Sequence, residues 1–183
     1  MNTVIDLFVK GGPLMWPIAL CSVIMVAIII HKTVQFTVLL RQFSWSRQRL
    51  LEQRPRHIAP LLEVLAANRD EEEIVLTGSR NLKILERGVG ALSLIAAIAP
   101  LMGLTGTVLG MIESFRIMAT SGGAASIGLL AKGIWEALLT TAAGLLVAIP
   151  AEIGYHYLER RLDEISIAMK SLVLRFGGAD NAV

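Results

Sequence analysis

Residues Ala99–Phe115 read A-P-L-M-G-L-T-G-T-V-L-G-M-I-E-S-F. The stretch is rich in glycine and nearly free of charge, yet it carries Thr105, Thr107, Ser114 and Glu113. In hydrocarbon every such polar group needs a partner, because an unsatisfied one is costly. No charged residue interrupts Gly88–Ile112. At ~1.5 Å rise per residue that run covers ~37 Å, enough for one tilted crossing of a bilayer.

Two further segments share this character. Leu14–Ile30 (L-M-W-P-I-A-L-C-S-V-I-M-V-A-I-I-I) is uncharged, and Trp16 stands at one end where interfacial aromatics belong. With its flanks it reaches the ~20 residues that a crossing needs. It exceeds the ~7–15 residue core of a signal peptide, and only Lys10 precedes it. Leu20 is also too large for the site before a lipoprotein cysteine at Cys21. The third segment runs from Gly128 to Tyr157, with Lys132 and Glu136 near its start, Glu152 near its end, and Tyr155 and Tyr157 at the far interface. The whole chain is 54% hydrophobic and 17% charged, against ~25% charged in ordinary globular chains. A net charge of +2 and the lack of any matching motif argue against nucleic acid as a partner. A single cysteine excludes a disulfide scaffold.

The connecting segments are polar. Met1–Lys10 suits a short amphipathic helix on the membrane surface, broken by Gly11-Gly12-Pro13. His31–Arg87 holds ten basic residues and reads as a helical hairpin with a turn at Pro55 and Pro60 and a solvated charged face. Ala119–Ile127 reads as a tight turn, Leu158–Phe176 as a charged amphipathic helix, and Gly177–Val183 as a loose end. The expected layout is an N-terminal helix over 1–12, spans over 13–31, 88–118 and 128–157, a hairpin over 32–87, a turn over 119–127, and a C-terminal helix and tail over 158–183. Basic residues are concentrated in the hairpin and tail. The positive-inside rule therefore puts both in the cytoplasm and the N-terminus outside.

Inside the spans the small and polar residues line up. Gly103, Thr107, Gly110 and Ser114 form one stripe on the second span, and Gly106 with Gly110 makes a small-xxx-small pair. Gly133, Ala137, Thr141, Leu145 and Ala148 form a comparable stripe on the third, widened by Gly144. These faces either pack on each other or line a shared central space. If Thr107 and Thr141 share a level, Glu113 and Glu136 nearly do as well. Each acid has a base in its own helix, Arg116 at i+3 from Glu113 and Lys132 four residues before Glu136. Thr105, Thr120 and Thr140 read as hydroxyls bonded to their own backbone. Glu136 is the deeper acid, and an intramembrane acid is a functional candidate by default.

These residues carry a resemblance. Gly103-Leu104-Thr105-Gly106-Thr107-Val108 with Gly110 and Phe115 resembles the second-span signature of the ExbB/TolQ/MotA proton-channel family. Glu136-Ala137-Leu138, Thr141-x-x-Gly144-Leu145 and Ala148-Ile149-Pro150 resemble its third-span signature. The resemblance implies an all-α integral membrane protein of the bacterial inner membrane. Its three helices extend into the cytoplasm and assemble as a ring, typically a homopentamer, around a central pore. Such a ring surrounds single-span partners of the ExbD/TolR type, whose aspartate takes up and releases the proton. Thr107, Thr141 and Glu136 match the family's proton-path positions, while Gly103, Gly106, Gly110, Ser114, Ala137, Gly144 and Ala148 supply the packing and pore face. Proton flow then moves the partner, and in the ExbB branch the work passes through a TonB-type protein to outer-membrane transport. The short cytoplasmic loop argues against a flagellar stator, and the compact size and P-L-M-W-P favour the ExbB branch. A TolQ-like role in the Tol-Pal envelope system and a passive membrane scaffold are the competing readings. No Ser/His pair, paired aspartates or HExxH motif lies in the spans, so an enzyme is not expected, nor is a cofactor or a metal.

Overall fold

The computed structural model describes residues 11–43, 45, 50, 52–53, 55, 58–67, 70–120 and 127–177. The amphipathic helix expected at Met1–Lys10, most of the turn expected at Ala119–Ile127, and all but the first residue of the expected loose end lie outside them. Five helices make up the described fold: α1 (Met15–Phe43), α2 (Ala59–Ala66), α3 (Glu71–Glu86), α4 (Val89–Thr120) and α5 (Ile127–Gly177). Three stretches are long and apolar enough to cross a membrane: Met15–Phe43, Glu72–Thr120 and Leu130–Leu174. The molecule is an all-α, multi-pass membrane protein.

Local chemistry sets the helix ends. Gly12 takes φ +75°, a left-handed backbone that glycine adopts without penalty, and the amides of Met15 and Trp16 close the turn on Gly12 and Pro13 carbonyls. Pro17 falls in the first turn of α1, where no intrahelical partner for its missing N–H exists. Of the two prolines expected to mark a turn, Pro55 does so, its carbonyl accepting from the amides of Ile58 and Ala59. Pro60 instead opens α2, where its fixed φ suits a first turn.

The chain divides into two units, residues 11–27 with 91–154, and residues 28–90 with 155–177. Most of the residues the first buries are glycine, alanine, serine or threonine, including Ala99, Ala137, Ala148, Ala151, Ser114 and Thr140, beside the larger Met15, Ile18, Met25, Leu92, Ile95 and Val147. It leaves large ones outside: Trp16 is 74% exposed and Leu146 73%. This inside-out distribution suits lipid, where burying a large apolar group gains nothing over leaving it in hydrocarbon and small residues allow close backbone approach.

The second unit buries larger side chains. Phe36, Leu39, Leu50, Ile58, Leu61 and Leu62 are buried. On α5, Leu158, Ile165 and Leu172 are buried seven residues apart with Met169 between them, a heptad seam. Helix α2 packs against α3. Lys32 is also buried, and its Nζ donates to the Leu85 carbonyl at 2.8 Å, in the last turn of α3. A cation there meets the negative end of the helix dipole. The turn into α4 follows at Gly88, with φ +92°. Lys32→Met is expected to leave the Leu85 carbonyl without its donor and to destabilise this unit by about 1–3 kcal/mol. A lowered thermal midpoint of the purified protein checks this.

Candidate functional site

The glycines of α4 and α5 face each other, and their lack of a side chain is what lets the helices meet. A Cβ added at Gly103 would lie 2.9 Å from the Thr141 Cα, and one at Gly106 would lie 2.6 Å from the Thr140 Cγ2. One at Gly110 would lie 2.7 Å from the Ala137 Cβ, and one at Gly133 would overlap Ser114. Gly144 fits against the carbonyl of Ala99. The two stripes therefore pack on each other within one chain. Thr107 stands at the edge of this seam, half-buried. Leu145, expected on the stripe, is 45% exposed, because the face runs through Ala137, Thr141, Gly144, Ala148 and Ala151 at helical spacing.

The hydroxyls are all anchored. Thr141 Oγ1 donates across the seam to the Gly103 carbonyl at 2.9 Å, and Thr107 Oγ1 donates to the Leu104 carbonyl at 2.7 Å. These carbonyls belong to consecutive residues, about 1.5 Å apart in rise, so the two threonines stand at one level. Each has committed its hydrogen to backbone, so its remaining hydrogen-bonding capacity is as an acceptor. Thr105 and Thr120 bond the backbone of their own helix, as expected. Thr140 does so as well, to the Glu136 carbonyl at 3.2 Å, and has a second, closer acceptor in the carbonyl of Gly11 at 2.8 Å. No local signal announced that partner, which lies 129 residues away.

Beside the seam lies a cavity of about 350 Å³. Gly106, Gly110, Ser114 and Glu113 line it from α4, Glu136, Ala137, Thr140 and Lys132 from α5, and the Gly11–Leu14 turn from the N-terminal side. Glu136 thus shares a cavity with Glu113 and Thr140, whereas Thr107, Thr141, Gly103, Gly144 and Ala148 do not line it. Both acids carry the bases that helical spacing predicts. Arg116 grips Glu113 in a two-pronged pair at 2.8 and 2.9 Å, while Lys132 Nζ stays 4.0 Å from Glu136 Oε1. The Glu136 side chain is 35% exposed. Its pairing is the looser of the two. Among the described residues no His, Cys, Asp and Glu cluster suits a metal ion.

Residues 56–171, which include Thr107, Glu136 and Thr141, match the model of the MotA/TolQ/ExbB proton channel family. The chain is 31% identical to the biopolymer transport protein exbB1 of Vibrio cholerae over 169 residues, covering 78% of this chain and 73% of the relative. It is 32% identical to a putative ExbB-like biopolymer transport protein of Synechocystis over 186 residues, covering 84% and 70%. It is 38% identical to the Tol-Pal system protein TolQ of Haemophilus influenzae over 108 residues, covering 54% of this chain and 46% of the relative. The extent of these matches and the two ordered span signatures lead to one conclusion: this chain belongs to the MotA/TolQ/ExbB proton channel family.

Proposed function

We propose that this chain is the ring-forming subunit of a proton-driven motor in the bacterial inner membrane, of the type that energises outer-membrane transport through ExbD-like and TonB-like partners. The observation that carries the reading is Glu136, a loosely paired carboxylate in the wall of a cavity along the α4–α5 seam, within the stretch matched by the channel family. The basic residues of the hairpin and tail face the cytoplasm and the N-terminus lies outside. Five copies surround a single-span partner that brings its own membrane-embedded acid. When that acid is protonated it crosses the level of Thr107 and Thr141 at low cost, because neutralisation removes the penalty of a charge in low dielectric. The free lone pairs of the two hydroxyls accept its proton in a hydrogen bond. Glu136 exchanges protons with the water in the cavity.

Thr107→Val tests this against a passive scaffold. Among the described residues the Thr107 hydroxyl bonds only the Leu104 carbonyl of its own turn, so its loss disturbs packing little. The ring and partner, co-expressed, are expected to assemble with native mass while gradient-dependent uptake falls to the level of cells lacking the protein. Full uptake would leave the scaffold standing. The Haemophilus TolQ match favours a second reading, service to the Tol-Pal system. Rescue of envelope integrity, rather than of uptake, in a strain lacking both systems would select it.

A further inference from the structure

We infer that Thr140 is a positioning residue: it pins the Gly11–Pro13 turn as a wall of the Glu136 cavity and so sets how far that cavity opens to water. The wall itself is independent of any function; its consequence for ion movement rests on the role proposed for Glu136.

Thr140 is 2% exposed, and its hydroxyl donates to the buried Gly11 carbonyl at 2.8 Å. Gly11 is itself buried beneath the side chain of Met15. The turn beyond it depends on Gly12 in a left-handed conformation, φ +75°, with open space where a side chain would go. One side of the cavity is therefore a backbone turn that Met15 covers and that the Thr140 hydroxyl ties to α5. That hydroxyl stands one helical turn from Glu136 and reaches the Glu136 carbonyl at 3.2 Å as well. Thr140 thus touches both the wall and the backbone that carries the acid. Its methyl does separate work, filling the space over Gly106. Valine in its place keeps that packing and removes only the donor to the Gly11 carbonyl.

The test reads the wall directly. In a Cys21→Ala background, Leu14→Cys places a reporter on the half-buried turn residue that lines the cavity. The assembled complex in nanodiscs is treated with a water-soluble maleimide. Thr140→Val is expected to raise the labelling rate about fivefold, the factor that a net hydrogen bond of ~1 kcal/mol corresponds to. Thr140→Ser, which keeps the hydroxyl, is expected to label as the parent does. Gly12→Ala strains the turn without touching α5 and is expected to act like Thr140→Val, so it carries the test if the valine variant does not assemble. An unchanged rate in assembled Thr140→Val, or a rise in Thr140→Ser equal to that in Thr140→Val, overturns the proposal. Uptake by Glu136→Gln, measured alongside, separates the two claims. Unimpaired uptake would sink the role of Glu136 and leave the wall standing, whereas a flat labelling rate would do the reverse.

Discussion

Glutamine in place of Glu136 is expected to leave the complex assembled and to abolish its energised function. The side chains are nearly isosteric, and what glutamine lacks is the charge and the exchangeable proton. The structural cost is small because the Lys132 partner is 4.0 Å away and 69% exposed. An open ion pair of that kind contributes about 0–1 kcal/mol. A loss of assembly would make Glu136 a structural residue, and full uptake would remove it from the ion route. Glu136→Asp, which titrates but reaches less far, is expected to retain part of the activity. Native mass for assembly and gradient-dependent uptake in cells, read together on the three proteins, decide the matter. Glu113→Gln is the informative companion. Its carboxylate is held by both prongs of Arg116, and its loss is expected to spare most of the uptake.

The second large effect falls on packing. Gly144→Ala is expected to prevent recovery of an assembled complex. The added methyl would stand 2.5 Å from the Ala99 carbonyl oxygen and 3.3 Å from the Gly103 Cα, and both are backbone. No rotamer change relieves that clash, so the helices must move apart and the whole seam from Ala99 to Ser114 loosens. Overpacking of this kind costs about 1–3 kcal/mol, more where the neighbour cannot move. Gly103→Ala meets the Thr141 Cα and is expected to behave likewise. Gly90→Ala and Gly78→Ala are the controls. Both sit in helices with nothing within 4 Å of the new methyl. They are expected to be neutral or to stabilise by ~0.5–1 kcal/mol, the helix penalty of glycine relieved. Yield and thermal midpoint of the purified complex separate the two groups. If all four alanines behave alike, the seam is not what holds α4 to α5.

What the amino-acid order determined by itself was everything that depends on neighbours along the chain. Hydropathy marked three segments able to cross a membrane, because the need for an unbroken apolar run is local. The pairs Glu113–Arg116 and Lys132–Glu136 were legible because i+3 and i+4 residues share a helix face. The same spacing showed that α4 and α5 each carry a stripe of small residues, and the ordered motifs on them pointed to the channel family. Periodicity names a face but not what the face meets. Only the tertiary structure decided that the two stripes pack on each other, with Gly103 against Thr141 and Gly110 against Ala137, and that Leu145 leaves the stripe. It also decided that Thr107 and Thr141 bond neighbouring carbonyls, while Glu136 shares its cavity with Thr140 rather than with them. Thr140 shows why. Its hydroxyl has a carbonyl available one turn back in its own helix, and nothing nearby in sequence distinguishes it from Thr105, which uses that carbonyl. The two alternatives differ by no more than the net worth of a hydrogen bond, about 1 kcal/mol. The choice falls to whichever acceptor the fold brings within reach. For Thr140 that is Gly11, and for Lys32 it is Leu85, 53 residues away.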